Sequence, residues 1–161
     1  MAPALNRSLS DLGALLHLVD PTLPIGGFNH SNGLETFVQQ GVVSTKATLE
    51  EYVQTQLLQN WIYNDGAYLS LAFDAMCEGS FDRLCELDWQ LSTTKVARES
   101  REGSFKLGVR LLKIFIRYET HTLLTAYQQA IAEKRVQGYF PIVFAMVAQA
   151  MGLSKADTLY A

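Results

Sequence analysis

Apolar residues recur at intervals of three or four along almost the whole chain, and this spacing limits the fold more than any other feature. One such series covers about four helical turns and consists of Leu49, Val53, Leu57 and Trp61. The interval places these side chains on one face of a helix. No run alternates between apolar and polar residues as a half-buried strand does. The sequence therefore predicts an all-α fold, a compact irregular bundle of about eight short helices.

One segment, Phe140 to Met151, is apolar on nearly all of its faces. Pro141 suits the first turn of a helix and Gly152 suits its end. A helix that is apolar all round needs neighbours on every side. We therefore expect this helix to lie at the centre of the bundle, within a single domain that spans residues 1–161.

Capping signals predict where several other helices begin and end. Thr48 and Glu51 have the spacing of a capping box, and Ser154 with Asp157 predicts a last helix start. Asn64-Asp65-Gly66 predicts a break followed by a new cap. The longest helix is expected from about Thr94 to Tyr118. Its first half carries small residues that would let another helix approach closely, namely Ser100, Gly103, Ser104 and Gly108.

Composition excludes several classes of function. The 161 residues carry a net charge of -3, which argues against general binding of nucleic acid or anionic membranes. No signal peptide precedes the first helix, and Cys77 and Cys85 lack metal-type spacing, so we expect a reduced, cytoplasmic protein. Apolar residues make up 48% and charged residues 18%. This apolar excess is consistent with a surface reserved for a protein partner.

The segment from Pro24 to Glu35 is the one stretch that helix packing does not explain. It contains three glycines, a proline and a histidine. Gly26-Gly27 does not indicate a phosphate site, because no strand precedes it and no Lys-Ser/Thr follows it. Two interpretations remain from the residues alone: a plain turn, or exposed backbone presented to a partner beside Phe28 and His30.

His30 and Glu35 are the only residues that suggest chemistry. They could form an acid-base pair or share a metal ion, which would make the chain a small helical metal-binding protein or enzyme. Nothing else in the sequence completes such a site, because no His-x-x-x-His pair occurs. We therefore expect no catalytic residues and no tightly bound cofactor, and His30 is a weak candidate metal ligand. A generic helical interaction module is a third possibility.

Seven of the thirteen basic residues lie on the predicted helix from Thr94 to Tyr118. Four of them share a stripe, spaced by four, three and four: Lys106, Arg110, Lys113 and Arg117. A charged stripe of this kind is commonly a solvated helix face. The functional alternative is a docking surface for an acidic protein partner.

Three blocks of the sequence resemble one known family in the same order. The first block consists of Leu15-Leu16, Asp20-Pro21-Thr22-Leu23-Pro24-Ile25-Gly26-Gly27-Phe28, His30-Ser31, Gly33-Leu34-Glu35 and Gly41-Val42-Val43. The second is Asn64-Asp65-Gly66, and the third comprises Arg98-Glu99-Ser100-Arg101-Glu102-Gly103, Gly108 and Arg110-Leu111-Leu112. Together with the late apolar helix, these blocks resemble the urease accessory protein UreF family over nearly the whole chain.

The resemblance implies an all-α, dimer-forming chaperone without catalytic activity of its own. Members of the family join a second accessory protein, UreD (also called UreH), and together recruit the GTPase UreG and the urease apoprotein, so that nickel is delivered by the assembled complex. The resemblance implies two signature blocks. The first is the family's signature surface, which corresponds to Pro24, Gly26, Gly27, Phe28, His30, Ser31 and Glu35. The second signature block lies within the third of the stretches that resemble the family and corresponds to Arg98, Glu99 and Arg101. We expect these residues to contact partner proteins.

One departure from the family concerns the end of the chain. Family members usually continue through further helices and a C-terminal tail, which this sequence lacks after Ala161. We therefore expect the apolar helix from Phe140 to Met151 to lose part of its cover.

Overall fold

The computed structural model describes residues 9–27 and 33–161. Within these ranges the regular structure is helical and no strand occurs, which confirms the predicted all-α bundle. The α-helices are α1 Leu9–Leu18, α2 Leu34–Gln39, α3 Lys46–Thr55, α4 Ala67–Cys77, α5 Phe81–Thr94, α6 Arg98–Phe115, α7 Thr122–Ala132, α8 Phe140–Ala150 and α9 Lys155–Tyr160. A π-helical segment, Gln56–Gly66, joins α3 to α4. None of these helices combines the length and the apolar character that crossing a membrane requires.

Helix α8 lies at the centre of the bundle, as its sequence predicts. Every residue from Pro141 to Ala148 is buried, because α8 packs mainly against α4 and α6 and also contacts α5 and α9. Pro141 occupies the first turn, as expected. The expected loss of cover is wrong for residues 141–148, since Ile142 and Ala145, for example, have no exposed surface. Phe140 and residues 149–151 are half-buried.

The predicted break at Asn64-Asp65-Gly66 is wrong, because the chain stays helical from Lys46 through Cys77. Gly66 has helical torsion angles, φ -64° and ψ -37°. The polar residues before it serve tertiary contacts instead of a cap. Asn64 Oδ1 accepts a hydrogen bond from Thr94 Oγ1 at 3.1 Å, and Asp65 forms an ion pair with Lys95 at 2.7 Å. These contacts fix the end of α5 against the π-helical segment.

The capping box of α3 lies three residues earlier than predicted. Thr45 and Thr48 form it, with Thr45 Oγ1 accepting from Thr48 N and Thr48 Oγ1 accepting from Thr45 N. Thr48 Oγ1 therefore accepts the hydrogen bond from Thr45 N that a glutamate side chain accepts in the usual capping box. The predicted cap of α9 is confirmed, since Ser154 Oγ accepts from Asp157 N at 3.1 Å.

The predicted long helix from Thr94 to Tyr118 is shorter than expected, because it covers only Arg98–Phe115. Helix α5 ends at Thr94, and α6 begins at Arg98 after a short non-helical link. The Arg101 guanidinium stabilises this link by donating from Nη1 to the carbonyl oxygens of Lys95 and Val96, at 2.8 and 2.6 Å. Two backbone acceptors that a continuous helix would satisfy internally are satisfied here by a side chain.

The small-residue stripe of α6 is shorter than predicted. Ser104 and Gly108 are buried where α6 meets the start of α8, and Ser104 Oγ accepts a hydrogen bond from Phe140 N at 3.3 Å. A side chain at Gly108 would collide with the backbone of residues 138–140. Ser100 is exposed, and a Cβ at Gly103 would meet nothing within 4 Å. Only Ser104 and Gly108 therefore lie where α6 and α8 approach each other closely.

A buried carboxylate holds the link between α7 and α8. Asp88 on α5 is 1% exposed. It accepts four hydrogen bonds: from Tyr127 Oη at 2.7 Å, Gln137 N at 2.6 Å, Gly138 N at 2.9 Å and Tyr139 N at 3.1 Å. Three consecutive backbone donors and one hydroxyl thus compensate the buried charge. We call Asp88, Tyr127 and the backbone of residues 137–139 the Asp88 cluster.

Candidate functional site

The described part of the glycine turn lies on helix α6. Leu23 and Ile25 pack against the core, and Arg110 Nη1 donates a hydrogen bond to the Ile25 carbonyl oxygen at 3.1 Å. Gly26 has a φ of +78°, and a Cβ there would collide with the Arg110 guanidinium. The turn therefore favours glycine for its backbone torsion, and a side chain at this position would displace the Arg110 guanidinium.

Several predicted site residues lie outside the described part of the chain. These are Phe28, His30 and Ser31. The expected pairing of His30 with Glu35 is therefore untested and remains a prediction, although Glu35 itself is exposed on α2. Among residues 9–27 and 33–161, no three His, Cys, Asp or Glu side chains come together as metal ligands.

The second signature block lies at the beginning of α6. Arg98 and Glu99 are exposed, whereas Arg101 is half-buried. Arg98 Nε donates to Glu102 Oε1 at 2.7 Å, and Lys106 Nζ contacts the other oxygen at 3.2 Å. Hydrogen bonds from Arg98 and Lys106, followed by their positive charges, lower the pKa of Glu102. This block is thus partly engaged in ion pairs on its own helix.

Among the described residues, the hydrogen bond between the glycine turn and α6 is made by Arg110 and not by Arg98, Glu99 or Arg101. The glycine turn is bound at Arg110, nine residues beyond Arg101. Nine residues of α-helix span about 14 Å. Arg101 instead holds the link between α5 and α6, and the side chain of Lys95 in that link pairs with Asp65.

The basic stripe of α6 has mixed roles. Lys106 is paired with Glu102, and Arg110 holds the glycine turn. Lys113 lines an apolar groove of about 480 Å³ between α6 and α7, beside Val109, Leu112 and Ile131. Part of the stripe therefore serves intramolecular contacts, and docking of an acidic partner on it remains a prediction.

Sequence reasoning missed a polar pocket beside the Asp88 cluster. It has a volume of about 270 Å³, and its lining includes Asp88, Trp89, Ser92, Arg101, Arg135 and Tyr139. A signal for it was present, because Asp88 falls on the apolar face of α5 with Leu84, Leu87 and Leu91. A carboxylate in an apolar stripe requires buried partners.

A second missed feature is an exposed apolar surface on α3 and the π-helical segment. Neither element contains a buried residue. We call this surface the apolar arm, and its members, each at least 38% exposed, are Leu49, Val53, Leu57, Leu58, Trp61, Ile62 and Tyr63. The sequence predicts that Leu49, Val53, Leu57 and Trp61 share one face of a helix, but it does not show that this face is exposed.

Comparison with known proteins gives a consistent result. The UreF family model matches residues 43–161. The urease accessory protein UreF of Haemophilus influenzae strain Rd is 95% identical over all 161 residues, which span 68% of that protein. The protein of the same name from Actinobacillus pleuropneumoniae serotype 5b is 78% identical over 153 residues, 95% of this chain and 67% of its own length. The one from Lachnoclostridium phytofermentans is 35% identical over 145 residues, 90% of this chain and 64% of its own length.

Proposed function

Because the chain belongs to the urease accessory protein UreF family, we propose that it is a non-catalytic chaperone for insertion of nickel into urease. In this proposal it assembles with UreD (also called UreH) and the GTPase UreG on the urease apoprotein, in the cytoplasm. The observation that carries the proposal is the 95% identity over all 161 residues to a protein named as a urease accessory protein.

The apolar arm supports a role in protein assembly. Trp61 is 51% exposed, Ile62 54% and Tyr63 71%. Aromatic residues are enriched in protein interfaces, and contiguous exposed apolar surface usually marks an interaction site. We infer that the arm contacts other protein chains, and that one of these is a second copy of this chain in a homodimer.

Nickel is cargo of the assembled complex in this proposal. The chain positions its partners, and the signature residues from Pro24 to Glu35 together with Arg98, Glu99 and Arg101 contact them. Arg98 and Glu99 are exposed at the start of α6, where a partner can reach them. By holding UreG against the other proteins, the chain would control when the GTPase acts.

Co-purification tests the proposal directly. The tagged chain is co-expressed with UreD and UreG, and the eluate is separated by size-exclusion chromatography. We expect both partners to co-elute with the chain, as they should with the full-length Haemophilus influenzae relative as a positive control. Retention of the partners by the relative but of neither by this chain would refute the proposal.

Urease activation provides the functional test. In a urease-positive host from which the relative's gene is deleted, expression of this chain should restore urease activity, and Arg98→Ala should reduce it. Glu78→Ala, an exposed position at the end of α4 outside the signature blocks and the apolar arm, is the matched control and should retain activity. Failure of the chain to restore any activity, while the full-length relative restores it, would contradict the proposed role.

A further inference from the structure

The pocket beside the Asp88 cluster is built by three separated parts of the chain. Trp89 and Ser92 come from α5, Arg101 from α6, and Arg135 and Tyr139 from the link between α7 and α8. We call it the arginine pocket. Its volume of about 270 Å³ is below the range of roughly 300–1,000 Å³ typical of small-molecule sites. It is therefore better suited to one or two side chains of a peptide than to a whole cofactor.

The charge that the pocket presents is positive. Asp88 is the one acidic side chain in its lining. Both of its carboxylate oxygens already accept hydrogen bonds from the Asp88 cluster. Arg101 and Arg135 line the same pocket. Because Asp88 is 1% exposed while both guanidinium groups reach solvent, an incoming anion would meet the arginines and not the carboxylate.

Both arginines are held in place and still have N–H groups to donate. In the described part of the chain, Arg101 bonds through Nη1, which leaves Nε and Nη2. Arg135 bonds through Nε to Glu133 Oε2 at 2.7 Å, which leaves both terminal nitrogens. Its guanidinium also lies 5.7 Å from the centre of the Phe81 ring. Such fixed, planar groups favour bidentate binding of a carboxylate.

Trp89 adds an apolar surface to this cationic site. Its side chain lines the pocket and is 69% exposed. A free anion would gain little from an indole ring, whereas a peptide can place an acidic side chain on the arginines and an apolar neighbour on the ring. We propose that the arginine pocket binds an acidic side chain of a protein partner, with Trp89 contacting the residue beside it. The identity of that partner rests on the proposed function, whereas the binding of an acidic side chain does not.

Peptide titration of the full chain, followed by NMR, tests the pocket. The probe is an acetylated, amidated pentapeptide with one central glutamate between two leucines. The chain contains two tryptophans, Trp61 and Trp89, so the indole N–H resonances provide a reporter in the pocket and an internal reference on the apolar arm. We expect the Trp89 resonance, assigned with Trp89→Phe, to shift saturably while the Trp61 resonance stays in place.

Two comparisons show whether the shift reports carboxylate binding. Replacing the glutamate of the peptide by glutamine should weaken binding about tenfold, since it removes a charged hydrogen-bond acceptor. Arg135→Gln should have a similar effect. Arg83→Gln is the matched control, because Arg83 is also on the surface and paired with a glutamate, Glu86, but does not line the pocket. It should bind the peptide as the unmodified chain does.

Several outcomes would overturn the proposal. They are an unmoved Trp89 resonance, equal binding of the glutamate and glutamine peptides, or equal effects of the Arg135 and Arg83 substitutions. Acetate that binds as tightly as the peptide would also overturn it, because the site would then take free anions. The titration needs no accessory protein, so its failure is distinguishable from failure of the co-purification experiment.

Discussion

The buried hydroxyl group of Tyr127 makes the stability of the fold depend on pH. Its side chain is completely buried. Burial first, and then the charge of Asp88 and the hydrogen bond to it, raise the pKa of Tyr127 well above its ordinary value. The native state therefore keeps this proton at a pH where the unfolded chain releases it. The resulting stability is fully present below about pH 10, the ordinary pKa of tyrosine, and is lost as the pH rises further.

Replacing Tyr127 by phenylalanine should separate two effects. At pH 8 we expect a loss of about 1–3 kcal/mol of unfolding free energy, because Asp88 loses one of its donors. Between pH 10 and pH 11 the stability of the variant should fall less steeply than that of the unmodified chain, since the titrating group is gone. Urea unfolding at a series of pH values measures both. Tyr63→Phe, at a position 71% exposed, should change neither, and equal slopes for the two variants would contradict this account.

Residue chemistry explains which site residues could be predicted from sequence. The glycine turn was evident, because three glycines and a proline within a dozen residues are unusual in a helical chain. Its contact with Arg110 was not, since that hydrogen bond joins residues 85 positions apart. Asp88 was detectable as a carboxylate on an apolar helix face, but its backbone donors at residues 137–139 were not. Sequence periodicity identifies a polar residue on an apolar helix face, but it does not identify the groups that form hydrogen bonds with that residue.

At the scale of elements, the packing of α6 against α8 depends on the absence of a side chain. Gly108 lies so close to residues 138–140 that a Cβ would collide with their backbone atoms. Gly103, five residues earlier on the same helix, faces open space. One glycine is therefore needed for helix contact, whereas the other only reduces helix propensity.

Alanine substitutions at these two glycines should have opposite effects. Gly108→Ala should destabilise the fold by about 1–3 kcal/mol, because backbone cannot move aside as a flexible side chain does. Gly103→Ala should be neutral or stabilising by up to about 1 kcal/mol. Urea unfolding midpoints of the two variants check this prediction. A change of the same sign and size in both would show that α6 and α8 are not packed as described.

Element boundaries were predictable where a local signal acted alone. Ser154 caps α9 as expected, and Pro141 opens α8. Asn64-Asp65-Gly66 has the composition of a break, yet the helix continues because Thr94 and Lys95 bind its polar side chains. The same two contacts lie beside the link that divides α5 from α6. Local propensity was overridden at both places by tertiary contacts.

At the scale of the whole molecule, the apolar arm is an exposed apolar surface that the described residues do not cover. We expect the chain to self-associate through it. The double substitution Trp61→Gln with Ile62→Gln should shift the chain towards a monomer in sedimentation velocity. Because both side chains are about half exposed, the unfolding free energy of the monomer, measured at a concentration too low for association, should change by no more than about 0.5 kcal/mol.

A matched surface substitution makes the sedimentation experiment specific. Tyr118, 74% exposed and outside the arm, is replaced by glutamine and should leave the association state unchanged. If the arm substitutions leave the association state unchanged, the apolar arm does not mediate self-association.

The helical class and the central position of α8 were predictable because apolar periodicity reports burial directly. The apolar arm was not, because its residues have the same three-to-four spacing as a core-facing helix. Periodicity shows that a face needs a partner, but not whether the partner belongs to the same chain. For the same reason the arginine pocket, which is assembled from three separated segments, could not be read from any one of them.

The Asp88 cluster also affects when the molecule can fold during synthesis. The carboxylate of Asp88 and its first backbone donor, Gln137 N, are 49 residues apart in the chain. At about 5–20 residues per second, a ribosome needs roughly 2–10 s to make that interval. Until then, burying Asp88 would leave a charge without its donors, which is unfavourable. We therefore expect α5 to take its final place only after the link to α8 has emerged, so that translation itself sets the earliest time at which the core can close.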